Sequence, residues 1–244
     1  MSLNLTNKTV LITGSTDGLG KLLAINLAKS KLNIIVHGRD ENRLKETLNE
    51  LNKINPSGTH SYILCDLNHP NKIEPSFSEI KNLDILINNA GIWLEGNTID
   101  AEPEKITDLI NVNLSSYILI FRTLLPALRN SDFGQVLNVI SVAGYEIPCG
   151  YYHTIYTATK YGLQGFSEAT TKEFENTNIR VMGFYPGGMS TSLFKKAGEN
   201  YSQNEGWMFN PQEAVDTIWF MLTRDKKINI KRLDLVNHLE IPPF

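Results

Sequence analysis

Along this chain, short apolar runs alternate with longer stretches in which apolar residues recur every three to four positions. The runs "TVLIT" (9–13), "LNIIVH" (32–37), "YILC" (62–65), "LDILIN" (83–88), "QVLNVI" (135–140) and "IRVMGF" (179–184) predict six strands, and "INIKRLDL" (228–235) a seventh that closes the sheet. The segments between them predict helices over 18–30, 40–53, 70–80, within 103–129, 154–176 and 211–223. The strands are apolar at successive positions and separated by helices, which is the pattern of a parallel sheet buried on both faces. Right-handed crossovers then give an α/β fold: a doubly wound, mostly parallel sheet of Rossmann type with helices on both faces, in a single domain over 1–244. Such sheets take ligands beyond the carboxyl ends of their strands, so the residues that follow each strand are the ones to inspect.

Composition narrows the function. The two cysteines, Cys65 and Cys149, form no CxxC or Cys/His motif and are too few to suggest a disulfide scaffold, and a reducing compartment fits. The five histidines are scattered, and no metal-ligand spacing is present. A net charge of −3 without any basic block removes the electrostatic footprint of a nucleic-acid binder. The N-terminus has no basic segment leading into an apolar stretch, and no uninterrupted apolar run reaches the ~18 residues of a membrane span. A cytoplasmic protein without membrane association is expected.

The first strand runs into "TGSTDGLGK" (13–21), a turn that brings Gly14, Ser15, Thr16, Asp17, Gly18, Leu19 and Gly20 to the start of a helix. Residues without a Cβ permit so tight a turn, and the free N–H groups of a helix N-terminus suit a diphosphate. The second strand ends in Gly38-Arg39, where many NAD-binding folds place a carboxylate for the ribose hydroxyls. A guanidinium suits a 2′-phosphate, so NADP(H) is preferred and NAD(H) is the alternative. Asp40 is read as the N-cap of the next helix. Asp66, with Leu67 beside it, follows the third strand, either accepting from an adenine amino group or serving as a turn or helix cap. The fourth strand ends in "NNAG": Asn88 or Asn89 ties strand ends together, while Ala90 and Gly91 allow close approach of an adenosine. Tyr156 and Lys160 lie one turn apart on a predicted helix. A free tyrosine has a pKa near ~10, and a neighbouring ammonium favours its phenolate, which makes Tyr156 a candidate general acid/base. Ser141 closes the fifth strand with a hydroxyl able to stabilise a developing oxyanion. Asn113 interrupts the long fourth helix, where an asparagine disturbs local bonding.

Taken together, "TGSTDGLG", Asp66, "NNAG", "NVN" around Asn113, "VIS" ending at Ser141, "YTATK" and "PGGMST" (186–191) occur in an order that resembles the short-chain dehydrogenase/reductase family over nearly the whole chain. The resemblance implies hydride transfer between a nicotinamide cofactor and a carbonyl or alcohol. It implies that Lys160 also holds the nicotinamide ribose and that Asn113 joins a proton relay through water. It further implies that Pro186, Gly187, Met189 and Thr191 meet the nicotinamide carboxamide. The alternative is a non-catalytic NADP-binding regulatory or scaffold protein, which would not need all four of Asn113, Ser141, Tyr156 and Lys160. Two departures stand out: Ser141 and Tyr156 are 15 residues apart, which implies a small insertion, and the C-terminus lacks the family's Asp-Gly-Gly ending.

A small-molecule carbonyl or alcohol is the expected substrate. Trp93, Ile147, Cys149, Tyr152, Phe194, Trp207, Met208 and Phe209 are candidates for an apolar pocket wall or for plain packing. Small residues on one side of the helix over 154–176 (Ala158, Gly162, Gly165) permit close helix packing, and the family forms interfaces with its long helices, so a homodimer or homotetramer is expected.

Overall fold

A computed structural model describes residues 2–147, 153–201 and 205–238. Its strands are β1 (Thr9–Ile12), β2 (Asn33–Gly38), β3 (Ser61–Leu64), β4 (Ile85–Asn88), β5 (Gly134–Val139), β6 (Ile179–Pro186) and β7 (Arg232–Leu235). They form one sheet in the order β3-β2-β1-β4-β5-β6-β7, and every neighbouring pair is parallel. The helices are α1 (Gly18–Lys29), α2 (Glu41–Ile54), α3 (Pro70–Phe77), α4 (Pro103–Ile110), α5 (Ser116–Arg129), α6 (Thr154–Glu173), α7 (Leu193–Lys196) and α8 (Pro211–Leu222).

Successive strand residues go to opposite faces, and both faces are covered. Val10, Ile12, Ile34, Val36, Ile85 and Ile87 join α1, α2 and α8 in one core. Leu11, Ile35, Leu86, Val136 and Val181 pack with α3 and α5 in the other. This is why the strand sequences are apolar without alternation. The edge strands are the exception: β3 and β7 have no fully buried residue. Asp40 caps α2 as predicted, accepting from the Arg43 N–H at 3.1 Å, and Leu44, Thr47 and Leu51 form its buried stripe.

The predicted fourth helix is present with a defect at its centre. Between α4 and α5, Asn111–Ser115 forms a π-helical turn that contains Asn113. The whole run Pro103–Arg129 is long and apolar enough by composition to cross a membrane. In this fold its apolar side lies inward instead, with Leu109, Tyr117, Ile120, Leu124 and Leu128 fully buried. The last strand is shorter than the predicted 228–235, because Asp225 turns the chain at Ile228 and the Arg180 guanidinium binds the Ile228 carbonyl at the base of the sheet.

Strand order reverses between β1 and β4, since the chain winds outward to β3 and then returns to the other side of β1. The loops beyond these two strands part and leave a crevice at the carboxyl edge of the sheet.

Candidate active site at the strand ends

An open cleft of about 730 Å³ fills that crevice. Its walls include Gly14, Thr16, Asp17, Gly18, Leu19, Gly20, Arg39, Asp66, Leu67, Asn89, Ala90 and Gly91 on one side, and Ser141, Tyr156, Lys160, Pro186, Gly187, Met189 and Thr191 on the other. Residues more than 170 positions apart are thus brought to one surface.

The glycine loop is built as tightly as its sequence requires. Gly14 has φ +65°, and a Cβ there would lie 2.9 Å from Ala90 Cα. A Cβ on Gly20 would meet the Gly14 carbonyl oxygen at 2.4 Å. These contacts admit only glycine and press the loop onto the "NNAG" turn. Both asparagines of that turn tie strand ends together. Asn89 Nδ2 donates to the Thr13 carbonyl at 2.9 Å, and Asn88 Nδ2 donates to Asn138 Oδ1 at 3.0 Å. The Thr13 hydroxyl accepts the N–H groups of Asn89 and Ala90 at 2.9 and 3.0 Å. Asp17 caps α1 through the Gly18 N–H at 2.7 Å. Ser15 lies off the cleft: it is fully buried, donates to the Ile12 carbonyl and accepts the His37 N–H. Its polar group serves the strand pairing, not the cavity.

Arg39 is exposed on the cleft wall just past β2, with Arg43 one helical turn further on. Asp66 closes a turn by accepting the Asn68 N–H at 3.0 Å, and its side chain also borders the cleft.

On the opposite side, α6 presents Tyr156 and Lys160. Lys160 is 4 % exposed, and its Nζ donates to the Val139 carbonyl at 3.4 Å. The same ammonium stands 5.5 Å from the Tyr156 ring centre and 6.0 Å from that of Tyr117. Burial lowers its pKa to about 7. Ser141, just beyond β5, has φ +150°, a backbone conformation that costs a non-glycine residue roughly 1–3 kcal/mol. Its hydroxyl accepts the Ala143 N–H at 3.2 Å. Asn113 is completely buried and does not reach the cleft wall. Its amide accepts the Ile92 N–H at 2.8 Å and donates to the Ile92 carbonyl at 2.9 Å, pairing with the backbone as a strand would. The π-turn leaves this side chain free to do so, and so sets the course of the chain just after "NNAG".

Of the aromatic candidates, Trp93, Phe194 and Trp207 line the cleft. The Trp93 ring centre lies 4.5 Å from that of Tyr156, in a tilted contact, and 4.9 Å from that of Phe194, edge-on, and Phe194 meets Trp207 edge-on at 5.6 Å. Ile147 is 63 % exposed and is not part of the wall. Tyr152 and Cys149 lie outside the described residues. Met208 and Phe209 pack behind the cleft.

Four contributors escape a reading of the sequence. His37 supports the glycine loop from below, accepting the Gly14 N–H. Tyr117 donates its buried hydroxyl to the Ala90 and Val139 carbonyls at 2.8 and 3.3 Å, holding the ends of β4 and β5. Val236 packs on Gly187, and Asn237 donates to the Gly206 carbonyl at 2.6 Å, so the segment after β7 forms part of the wall. His37 and Tyr117 carry a faint signal, each a polar-tipped ring inside an otherwise apolar segment. The other two carry none.

The model of the short chain dehydrogenases matches residues 8–202. An uncharacterized oxidoreductase of Staphylococcus saprophyticus is 24% identical over 237 residues, covering 94% of this chain and 97% of its own. Among solved structures, an alcohol dehydrogenase from the archaeon Thermococcus sibiricus complexed with 5-hydroxy-NADP superimposes with a TM-score of 0.86 at 20% identity, covering 97% of this chain and 99% of its own. L-Sorbose reductase from Gluconobacter frateurii complexed with NADPH and L-sorbose does so with a TM-score of 0.84 at 22% identity, covering 96% and 97%.

Proposed function

Because the chain belongs to the short chain dehydrogenase family, we propose that it is an oxidoreductase that reduces a carbonyl compound, or oxidises the corresponding alcohol, with NADP(H). The observation that carries this reading is the convergence of Ser141, Tyr156 and Lys160 on one cleft whose other side is a tight loop that admits only glycine at positions 14 and 20. The cradle fits a dinucleotide: the Gly14–Gly20 turn lies on the cleft wall at the N-terminus of α1, where a diphosphate is favoured. Ala90 and Gly91 would lie against the adenosine, and Pro186, Gly187, Met189 and Thr191 against the nicotinamide. Arg39, beyond β2, would pair with the 2′-phosphate, which favours NADP(H) over NAD(H). The NADP-type ligands of the two solved relatives agree with that preference.

When bound, the cofactor supplies or accepts the hydride. The chain's own residues handle the oxygen. Ser141 donates a hydrogen bond to the carbonyl oxygen and stabilises the charge that grows there. Tyr156 passes its hydroxyl proton to that oxygen, and in the reverse direction takes it back. Lys160, one turn away, supports the phenolate with its ammonium and orients the cofactor ribose. Asn113 holds the backbone at Ile92, and in the relay expected of the family it steadies a water leading to Lys160. Trp93, Phe194 and Trp207 offer an apolar wall to the substrate. We take the enzyme to act in the cytoplasm as a homodimer or homotetramer, with the exposed small residues Ala158, Gly162 and Gly165 of α6 in the contact; light scattering that gives a monomer mass at all concentrations would contradict the assembly.

The deciding experiment is NADPH consumption over a panel of aldehydes, ketones and keto-esters, with Tyr156→Phe as the control. The variant should lose turnover by on the order of a thousandfold and keep its affinity for NADPH. Full activity in Tyr156→Phe would overturn the assignment.

A further inference from the structure

We propose that Asp17, a residue of the glycine loop, is a positioning residue for the substrate side of the cleft: its carboxylate braces α7 so that Phe194 and Trp93 stand against Tyr156. The inference rests on the reading of Tyr156 as the acid/base only for its consequence in turnover. The brace itself is a matter of geometry.

Capping α1 uses one oxygen of Asp17, which accepts the Gly18 N–H at 2.7 Å. Asparagine or serine would cap equally well. The second oxygen has a different set of partners. It accepts the Ser192 hydroxyl at 2.9 Å, lies 2.7 Å from Lys196 Nζ and 3.5 Å from the Arg43 guanidinium. Ser192 precedes α7 and Lys196 ends it, so the carboxylate grips this helix at both ends. Only a charged acceptor with two oxygens can cap one helix and hold another in this way.

α7 needs an external hold because a four-residue helix has almost no stability of its own. Its inner side carries Phe194, which is 7 % exposed and meets Trp93 edge-on at 4.9 Å. Trp93 in turn lies 4.5 Å from Tyr156. A continuous line of contacts therefore joins the glycine loop to the residue that handles the substrate oxygen, Asp17 to α7 to Phe194 to Trp93 to Tyr156. The Asp17–Ser192 bond spans 175 residues of sequence. The link couples the two halves of the cleft: fixing the glycine loop fixes the substrate wall.

The test is Asp17→Asn, which keeps the cap and removes the charged grip, with Ser192→Ala as a milder partner. Two of the chain's three tryptophans, Trp93 and Trp207, are in the cluster that Phe194 closes, so acrylamide quenching of tryptophan fluorescence reads the brace in a Trp219→Phe background. In Asp17→Asn the quenching constant should rise about twofold, and KM for the carbonyl substrate should rise about five- to tenfold, while Kd for NADPH stays within about threefold. Ser192→Ala should move quenching and KM in the same direction by less. Unchanged quenching in both variants would overturn the proposal. So would a loss of NADPH affinity equal to the rise in KM, which would place Asp17 in cofactor binding alone. Should Asp17→Asn not fold, the Ser192→Ala/Lys196→Met double variant gives the same readout from the α7 side. If the wild type consumes no NADPH with any carbonyl, the acid/base reading fails, and the quenching measurement still decides the brace.

Discussion

The backbone N–H of Gly14 donates to Nδ1 of His37 at 3.1 Å, so the glycine loop rests on an imidazole at the end of the neighbouring strand. The other ring nitrogen, Nε2, meets the Cys65 carbonyl at 3.1 Å and serves as its donor. One neutral tautomer therefore satisfies both contacts. Protonation would set two N–H groups against each other at Gly14. Burial lowers the His37 pKa from its ordinary 6.5 to about 4. The folded value lies below the unfolded one, so the neutral ring contributes its full stability above pH ~6.5 and loses it as the pH falls toward 4. The loss amounts to about 3 kcal/mol over that window. Urea midpoints of the wild type and His37→Asn, taken from pH 7.5 to 4.5, should show a steep acid limb in the former and a flatter one in the latter. Parallel curves would rule out this role for His37.

Lys160 presents the opposite balance between stability and function. Burial lowers its pKa from 10.5 to about 7. For a base with a lowered folded pKa, the favourable contribution is complete above the unfolded value near 10.5 and is lost as pH falls through 7. Near neutrality and below, the fold therefore carries much or all of the penalty of a buried ammonium. Lys160→Met should raise the thermal midpoint of the ligand-free protein at pH 7, by a stability gain of roughly 2–4 kcal/mol that shrinks toward pH 10. The same substitution should reduce turnover by at least about a hundredfold. A calorimetric scan at three pH values, beside an activity assay, checks both.

Arg39 is exposed and carries no other assigned task, so its removal should cost little stability. In Arg39→Ala we expect Kd for NADPH to rise on the order of tenfold, with Kd for NADH nearly unchanged. Fluorescence titration with each nucleotide measures the ratio. An equal change for both would place the guanidinium away from the 2′-phosphate.

Gly188 lies flat beneath Trp207: a Cβ at this position would come within 2.1 Å of the indole ring. Gly188→Ala must displace the tryptophan, at about 1–3 kcal/mol of stability, and should change the near-ultraviolet circular dichroism. Adding Trp207→Leu should make the double variant less destabilised than the sum of the two single changes. Additive losses would mean that the ring is not what the alanine meets.

The legibility of this fold and its site in the sequence varies by element. The seven strands and, α7 apart, the helical stretches between them follow from local apolar pattern, and Asp40 and the glycine turn from the chemistry of caps and tight turns. These are short-range effects, so a few neighbouring residues carry them. Asn113 is legible as a disturbance in a helix. Its pairing with Ile92, 21 residues away, is not. Ser15 has the sequence position of a loop ligand, yet the side-by-side placement of β1 and β2 turns its hydroxyl toward His37.

Sequence alone thus determined the parallel sheet, the order of its elements and the residue types available at each strand end, because these depend on period and local conformation. The tertiary structure decided which of those residues share a cavity. His37 beneath Gly14, Tyr117 between Ala90 and Val139, and Asp17 across to Ser192 are contacts between segments that only the wound sheet brings together. Their partners are set by strand order and by the space left between helices, quantities that no local window of sequence contains.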